Sequence, residues 1–85
     1  MLVVASVAKI LGKMRNNPCD WRIEDLQAIA RHFGIEYSQH RTSHCTFRHS
    51  MAGKLTVPAR LPLKPVYVRQ FVELIERLTR NEQEV

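Results

Sequence analysis

Apolar residues in this chain recur first at helical spacing, then at every second position, then at helical spacing again. The pattern alone divides it into helices, strands and a closing helix. Val3, Val7, Ile10, Leu11 and Met14 form a stripe with Lys9, Lys13 and Arg15 off it. This predicts an amphipathic helix over the first fifteen residues, weakened by Gly12. The run Asn16-Asn17-Pro18 ends it, because consecutive Asn favour turns and proline blocks continuation. Asp20 is then expected to cap a second helix, with Ile23, Leu26, Ile29, Ala30 and Phe33 on its buried face and Gly34 as its left-handed stop. Trp21, at the start of that helix, carries an amphipathic ring suited to pinning the two helices together.

From residue 35 the period becomes two. Ile35, Tyr37 and Gln39 point one way and Glu36 and Ser38 the other, a half-buried strand. Residues 43–49 repeat the alternation, with Cys45 and Phe47 inward and His44, Thr46 and Arg48 outward. Residues 54–57 form a third strand, with Leu55 and Val57 inward and Lys54 and Thr56 outward. Residues 50–53 fit a hairpin loop in which Gly53 takes a positive φ, so the three strands form an antiparallel meander. Pro58, Pro62 and Pro65 make 59–64 an extended connector and place Pro65 in the first turn of a last helix. That helix buries Val68, Phe71, Val72, Ile75 and Leu78 against the sheet. On its outer side Glu73 with Arg77, and Glu76 with Arg80, are spaced to pair, and residues 81–85 are polar and expected to fray. The order α-α-β-β-β-α predicts an α+β fold in which a three-stranded antiparallel sheet packs on helices.

At 85 residues the chain is expected to be one domain, 1–85, whose core draws on nearly every apolar side chain. The net charge of +5 attracts RNA, DNA, anionic lipid or an acidic protein without choosing among them. Its distribution says more. Residues 37–72 contain no acidic side chain, yet hold six of the thirteen Lys and Arg and three of the four His. Solubility alone would tolerate mixed signs, so a 36-residue window without acids points to an anionic partner. Within it His44 projects from the same strand face as Arg48, a titratable group on a cationic sheet, which suits chemistry on a phosphate backbone.

Two cysteines, Cys19 and Cys45, make neither a disulfide framework nor a C-x-x-C metal spacing, so a reducing cytoplasm is the expected location. The opening apolar run lacks a basic n-region and is interrupted by Lys9, so no signal peptide, no transmembrane segment and no membrane partner are expected. His40, His44, His49 and Cys45 could suggest zinc, but alternation sends Cys45 and His49 to the face opposite His44. Mg²⁺ prefers oxygen ligands, usually carboxylates, and the sheet region after Glu36 offers none. No metal and no cofactor is therefore expected.

Four local patterns coincide: Phe33-Gly34-Ile35 closing a helix, then Ser43-His44-Cys45-Thr46-Phe47-Arg48-His49, then Leu55-Thr56-Val57-Pro58, then Leu63-Lys64-Pro65 opening a helix. Together they resemble the HicA toxins over roughly residues 21–79, leaving residues 1–18 as an N-terminal helical extension. The resemblance implies a double-stranded-RNA-binding-domain-like fold and the activity of an mRNA interferase, a metal-independent endoribonuclease restrained by a HicB-like antitoxin. DNA contact is then expected only indirectly, through the antitoxin. The family's catalytic histidine falls on His44, and the basic residues around Lys64-Pro65 would face substrate. The RNA-binding set expected on these grounds is Arg41, Thr46, Arg48, Lys54, Arg60, Lys64 and Arg69. Two positions depart from the family pattern: Thr42 stands where a Gly usually precedes the Ser-His pair, and Ala59-Arg60 stands where a second His often follows Val-Pro. Two alternatives are a non-catalytic module that reads A-form RNA by shape, with His44 only contacting phosphate, and a degenerate partner of an antitoxin acting in autoregulation.

Overall fold

Among the described residues, six regular elements form in the expected order: α1 (Leu2–Asn16), α2 (Ile23–His32), β1 (Glu36–Ser38), β2 (His44–His49), β3 (Gly53–Pro58) and α3 (Pro65–Glu84). The computed structural model describes residues 2–39, 43–60 and 62–84; Arg41, one of the expected RNA-binding residues, lies outside these, as do His40 and Thr42. The chain is a small α+β domain whose open antiparallel sheet has the strand order β1-β2-β3. No helix among the described residues is long and apolar enough to cross a membrane.

The period-two pattern sets the sheet. Cys45, Phe47 and Val57 are fully buried, whereas His44, Arg48, Lys54 and Thr56 are exposed. The inner face meets the helices: α2 packs near β1, α3 lies against β3, and α1 packs on α3. Phe47 is the centre of this contact, with its ring centroid 5.1 Å from Phe71 and 5.9 Å from Tyr37. Offset aromatic contacts at these distances add to the burial of the rings themselves. Gly53 closes the hairpin at φ +94° and Gly34 ends the second helix at φ +70°, both in the left-handed region that favours glycine. Arg77 of α3 donates to the Ala52 carbonyl and holds the hairpin turn against the helix.

Several local expectations are corrected. Asp20 does not cap α2: it takes φ +64°, a left-handed turn that short polar side chains tolerate, and the helix starts at Ile23 with Arg22 in the cap position. The Asp25 carboxylate accepts the Arg22 N–H at 3.0 Å, so the first turn supplies its own partner for the cap backbone. Neither outward pair on α3 is seen among the described residues; Glu76 instead pairs with Arg15 of α1. The buried surface of α3 is broader than one stripe, because α1 and β3 both contact it, and Leu74 is fully buried along with the five expected positions. Strand boundaries also move. The first strand is only three residues, and the third extends to include Gly53 and Pro58. The last helix extends through Glu84, over most of the stretch expected to fray.

The turn between the first two helices is tied down from both sides. The Cys19 N–H bonds the Asn17 side chain at 3.2 Å, and the Trp21 indole N–H donates to the Asn17 carbonyl at 2.7 Å. Trp21 thus pins the start of the second helix to the end of the first, as its position in the sequence suggests.

Met14 has no exposed surface, and Val7, Ile10 and Leu11 pack partly buried on the same core, so α1 shares the core of the sheet and α3. Met14→Ala should therefore lower the unfolding free energy by about 2–5 kcal/mol, the cost of a buried large-to-small change. Urea denaturation measures it. A loss below about 0.5 kcal/mol, typical of a surface change, would place α1 outside the cooperative unit.

Candidate functional site

His44 opens β2, and the register of the sheet decides what surrounds it. His44 lies opposite Pro58 at the end of β3, and the Ala59 N–H donates to the Ser43 carbonyl, carrying the ladder one step past the paired strands. The chain leaving β3 is thereby held beside the histidine, and Arg60 follows at once. Leu63 then anchors the connector: its side chain is buried and its N–H donates to the Trp21 carbonyl at 3.2 Å. With Leu63 fixed inward, Lys64 and the first turn of α3 emerge next to the strand end. Ser43, His44, Pro58, Arg60, Pro62, Lys64 and Tyr67 line the resulting cleft, of about 450 Å³.

Three properties of this cleft matter chemically. Among the described residues its lining contains an imidazole and two cationic side chains but no carboxylate. Arg60 and Lys64 are exposed, so their charges can meet an anion from solvent. The first turn of α3 borders the cleft, and the N-terminal end of a 20-residue helix adds a favourable field for negative charge. A phosphodiester seated there would meet cations, with the imidazole of His44 beside it.

The other expected RNA-binding residues fall elsewhere. Side chains directly opposite across the sheet form rows on its outer face: His44 with Pro58, then Ser38 with Thr46 and Thr56, then Glu36 with Arg48 and Lys54. Successive rows are about 7 Å apart, so Arg48 and Lys54 sit about 13 Å along the strands from His44. Thr46 occupies the middle row, its hydroxyl 3.2 Å from that of Thr56. Arg48 and Lys54 border a different concavity of about 540 Å³, shared with Gly34, Glu36, His49, Ser50 and Gly53. The acidic Glu36 stands directly across from Arg48 there, so the stretch that lacks acids in sequence does not lack them in space. Arg69 lies on neither surface; it shares a hollow with Arg15, Val72, Glu73 and Glu76 where α1 meets α3. Among the described residues, Arg60 and Lys64 are therefore the expected ones that the fold gathers around His44.

Tyr67 belongs to the cleft and was not among the expected site residues. Its signal was present but hidden: it stands three positions after Lys64 and four before Phe71, on the buried stripe itself. A stripe-based reading assigns such a residue to packing.

Cys45 follows His44 in sequence but faces the core, as expected. Burial pushes its thiol up from the ordinary value, and the hydrogen bond donated by Gln27 Nε2 at 3.5 Å only partly opposes this. Among the described residues no three His, Cys, Asp or Glu side chains group as metal ligands. Cys19 is exposed and both thiols are free. Thiol alkylation of the native protein should accordingly modify Cys19 and leave Cys45 unmodified until denaturant is added, as read by mass spectrometry of the peptides. Equal labelling of both under native conditions would contradict the burial of Cys45.

In comparisons with known proteins, no family model, no curated protein and no solved structure matches this chain.

Proposed function

We propose that this chain is an endoribonuclease toxin of the HicA type, cutting mRNA without a metal ion and using His44 as its acid-base group. The observation that carries this reading is the cleft that joins His44 to Arg60 and Lys64, with no carboxylate among the described residues that line it. The order of elements after α1, one helix, three strands and a helix, is also what the resemblance implies.

The chemistry follows from these groups. Neutral His44 accepts the proton of a 2′-hydroxyl, whose oxygen forms a bond to the adjacent phosphorus as the bond to the 5′-oxygen breaks. The departing oxygen takes a proton from the imidazolium so formed or from water. Arg60 and Lys64 hold the phosphoryl oxygens and stabilise the negative charge that accumulates on them. Positioned proton transfer contributes on the order of 10²- to 10⁴-fold, so one histidine with two cations makes a modest nuclease. A toxin acting on many transcripts can be modest.

On this reading the partner is a HicB-like antitoxin that covers the cleft with an acidic surface, and the chain meets DNA only through that partner. The working compartment is a reducing cytoplasm, in keeping with two free thiols.

Cleavage of labelled mRNA should persist in excess EDTA and fall by about 10²-fold or more in His44→Ala. Activity lost on chelation, or undiminished in the variant, would overturn the mechanism. Salt-sensitive binding with no product at all would leave a non-catalytic RNA-binding module.

Neutralising the cations should also divide them by position. Arg60→Ala and Lys64→Ala should each lower the cleavage rate by about 10- to 100-fold, through lost charge stabilisation at the reacting phosphate. Arg48→Ala and Lys54→Ala should weaken binding and flatten its salt dependence with little change in the rate at saturation. Arg69→Ala should behave as the parent protein in both assays. Rate constants at saturating RNA, measured beside binding titrations at two salt concentrations, separate the three groups.

A further inference from the structure

We infer that the cleft beside His44 holds a single unpaired nucleotide whose base lies on the Tyr67 ring, so that the chain acts on single-stranded segments of RNA and not on duplex. This deepens the endoribonuclease reading and rests on it. The size of the cleft is the first reason. At about 450 Å³ it lies within the range of sites that enclose one small ligand, roughly 300–1,000 Å³, whereas A-form duplex is read across its wide, shallow minor groove by shape.

The distribution of chemistry along its walls is the second reason. Tyr67, Pro58 and Pro62 give it flat apolar surface, and Arg60 and Lys64 give it positive charge. An inorganic anion would use only the cations, and an apolar ligand would use only the rings. A nucleotide joins a planar base to a phosphate and engages both.

Tyr67 is also held in place. It packs partly buried against the hydrophobic core while contributing to the cleft, and its N–H donates to the Lys64 carbonyl at 3.0 Å in the first turn of α3. A ring fixed on one side loses little further freedom when a base stacks on it, which is the basis of aromatic platforms for single strands. The reaction itself points the same way. Attack by the 2′-oxygen requires it to line up opposite the departing 5′-oxygen, a geometry that regular A-form helix does not hold and that an unpaired nucleotide reaches by backbone rotation.

The test uses the full chain carrying His44→Ala, so that no strand is cut, and an RNA oligonucleotide with 2-aminopurine at one internal position. The labelled strand is offered alone and annealed to its complement. The expected result is preferential binding of the single strand with quenched 2-aminopurine fluorescence. Tyr67→Phe should keep both, and Tyr67→Leu, which preserves apolar packing, should bind the single strand roughly tenfold more weakly with the quenching lost. Circular dichroism and urea denaturation of each variant confirm that it is folded. Duplex bound as tightly as single strand, or Tyr67→Leu binding and quenching like the parent, overturns the platform. Tyr67→Phe failing like Tyr67→Leu overturns it also, since the phenol and not the ring would then be the group that acts. In those cases metal-independent cleavage by the unmodified chain still stands as a separate result. No binding of either form of RNA overturns the endoribonuclease reading together with the platform.

Discussion

Phe47 sits at the middle of β2 with none of its surface exposed, opposite Leu55 of β3 and Tyr37 of β1, and its burial dictates which way every other side chain of the strand faces. A strand has a period of two, so a slip of one residue would carry Phe47 and Cys45 to solvent and turn His44, Thr46 and Arg48 into the core. That exchange trades two well-packed apolar side chains for an imidazole and a guanidinium with no partners inside. Burying either charged form unpaired is costly enough to exclude the alternative register. The position of His44 on the outer face is thus a consequence of core packing three residues away.

The same register builds the cleft. Because His44 lies opposite Pro58, the chain that leaves β3 must pass the histidine, and the ladder bond from Ala59 to Ser43 keeps it there. Leu63 then acts as a second fixed point, buried and bonded to Trp21. Arg60 lies between these anchors and Lys64 directly after the second, so both flank the strand end. Charge at the other end of the sheet is of a different kind. Glu36 faces Arg48 across the first strand pair, and this partly cancels the field that Arg48 and Lys54 would otherwise present.

The first helix illustrates how a peripheral element becomes structural. Its stripe is modest in width, yet Met14 is completely buried, and the contact with α3 enlarges the core that the sheet alone could offer. The ion pair from Arg15 to Glu76 joins the same two helices at a partly exposed position, where such pairs contribute less than about 1 kcal/mol. Packing therefore holds α1, and the ion pair orients its end. This competition for Glu76 is why the spacing of Glu76 and Arg80 did not produce the expected pair within α3.

The sequence by itself determined the elements, their order and the two faces of the strands, because hydrophobic period, proline and glycine act over a few residues. The buried face of α2, the hairpin at Gly53, the stop at Gly34 and the start of α3 at Pro65 are all of this kind. The start of α2 was misplaced because Asp20 and Asp25 both offer a carboxylate, and only the turn forced by the Asn17 bonds to Cys19 and Trp21 selects between them. The outward direction of His44, Thr46 and Arg48 was equally legible. Which cations gather at His44 was not. Arg48 is nearer in sequence than Arg60 or Lys64, yet strand extension carries it away, and a turn, a ladder bond and the Leu63 anchor bring the others close. The tertiary structure also decided that Tyr67 would face the cleft while resting on the core, and that Glu36 would stand beside Arg48. Distance through the chain and distance through space diverge wherever a strand runs straight or a connector folds back, and the site of this protein lies at such a place.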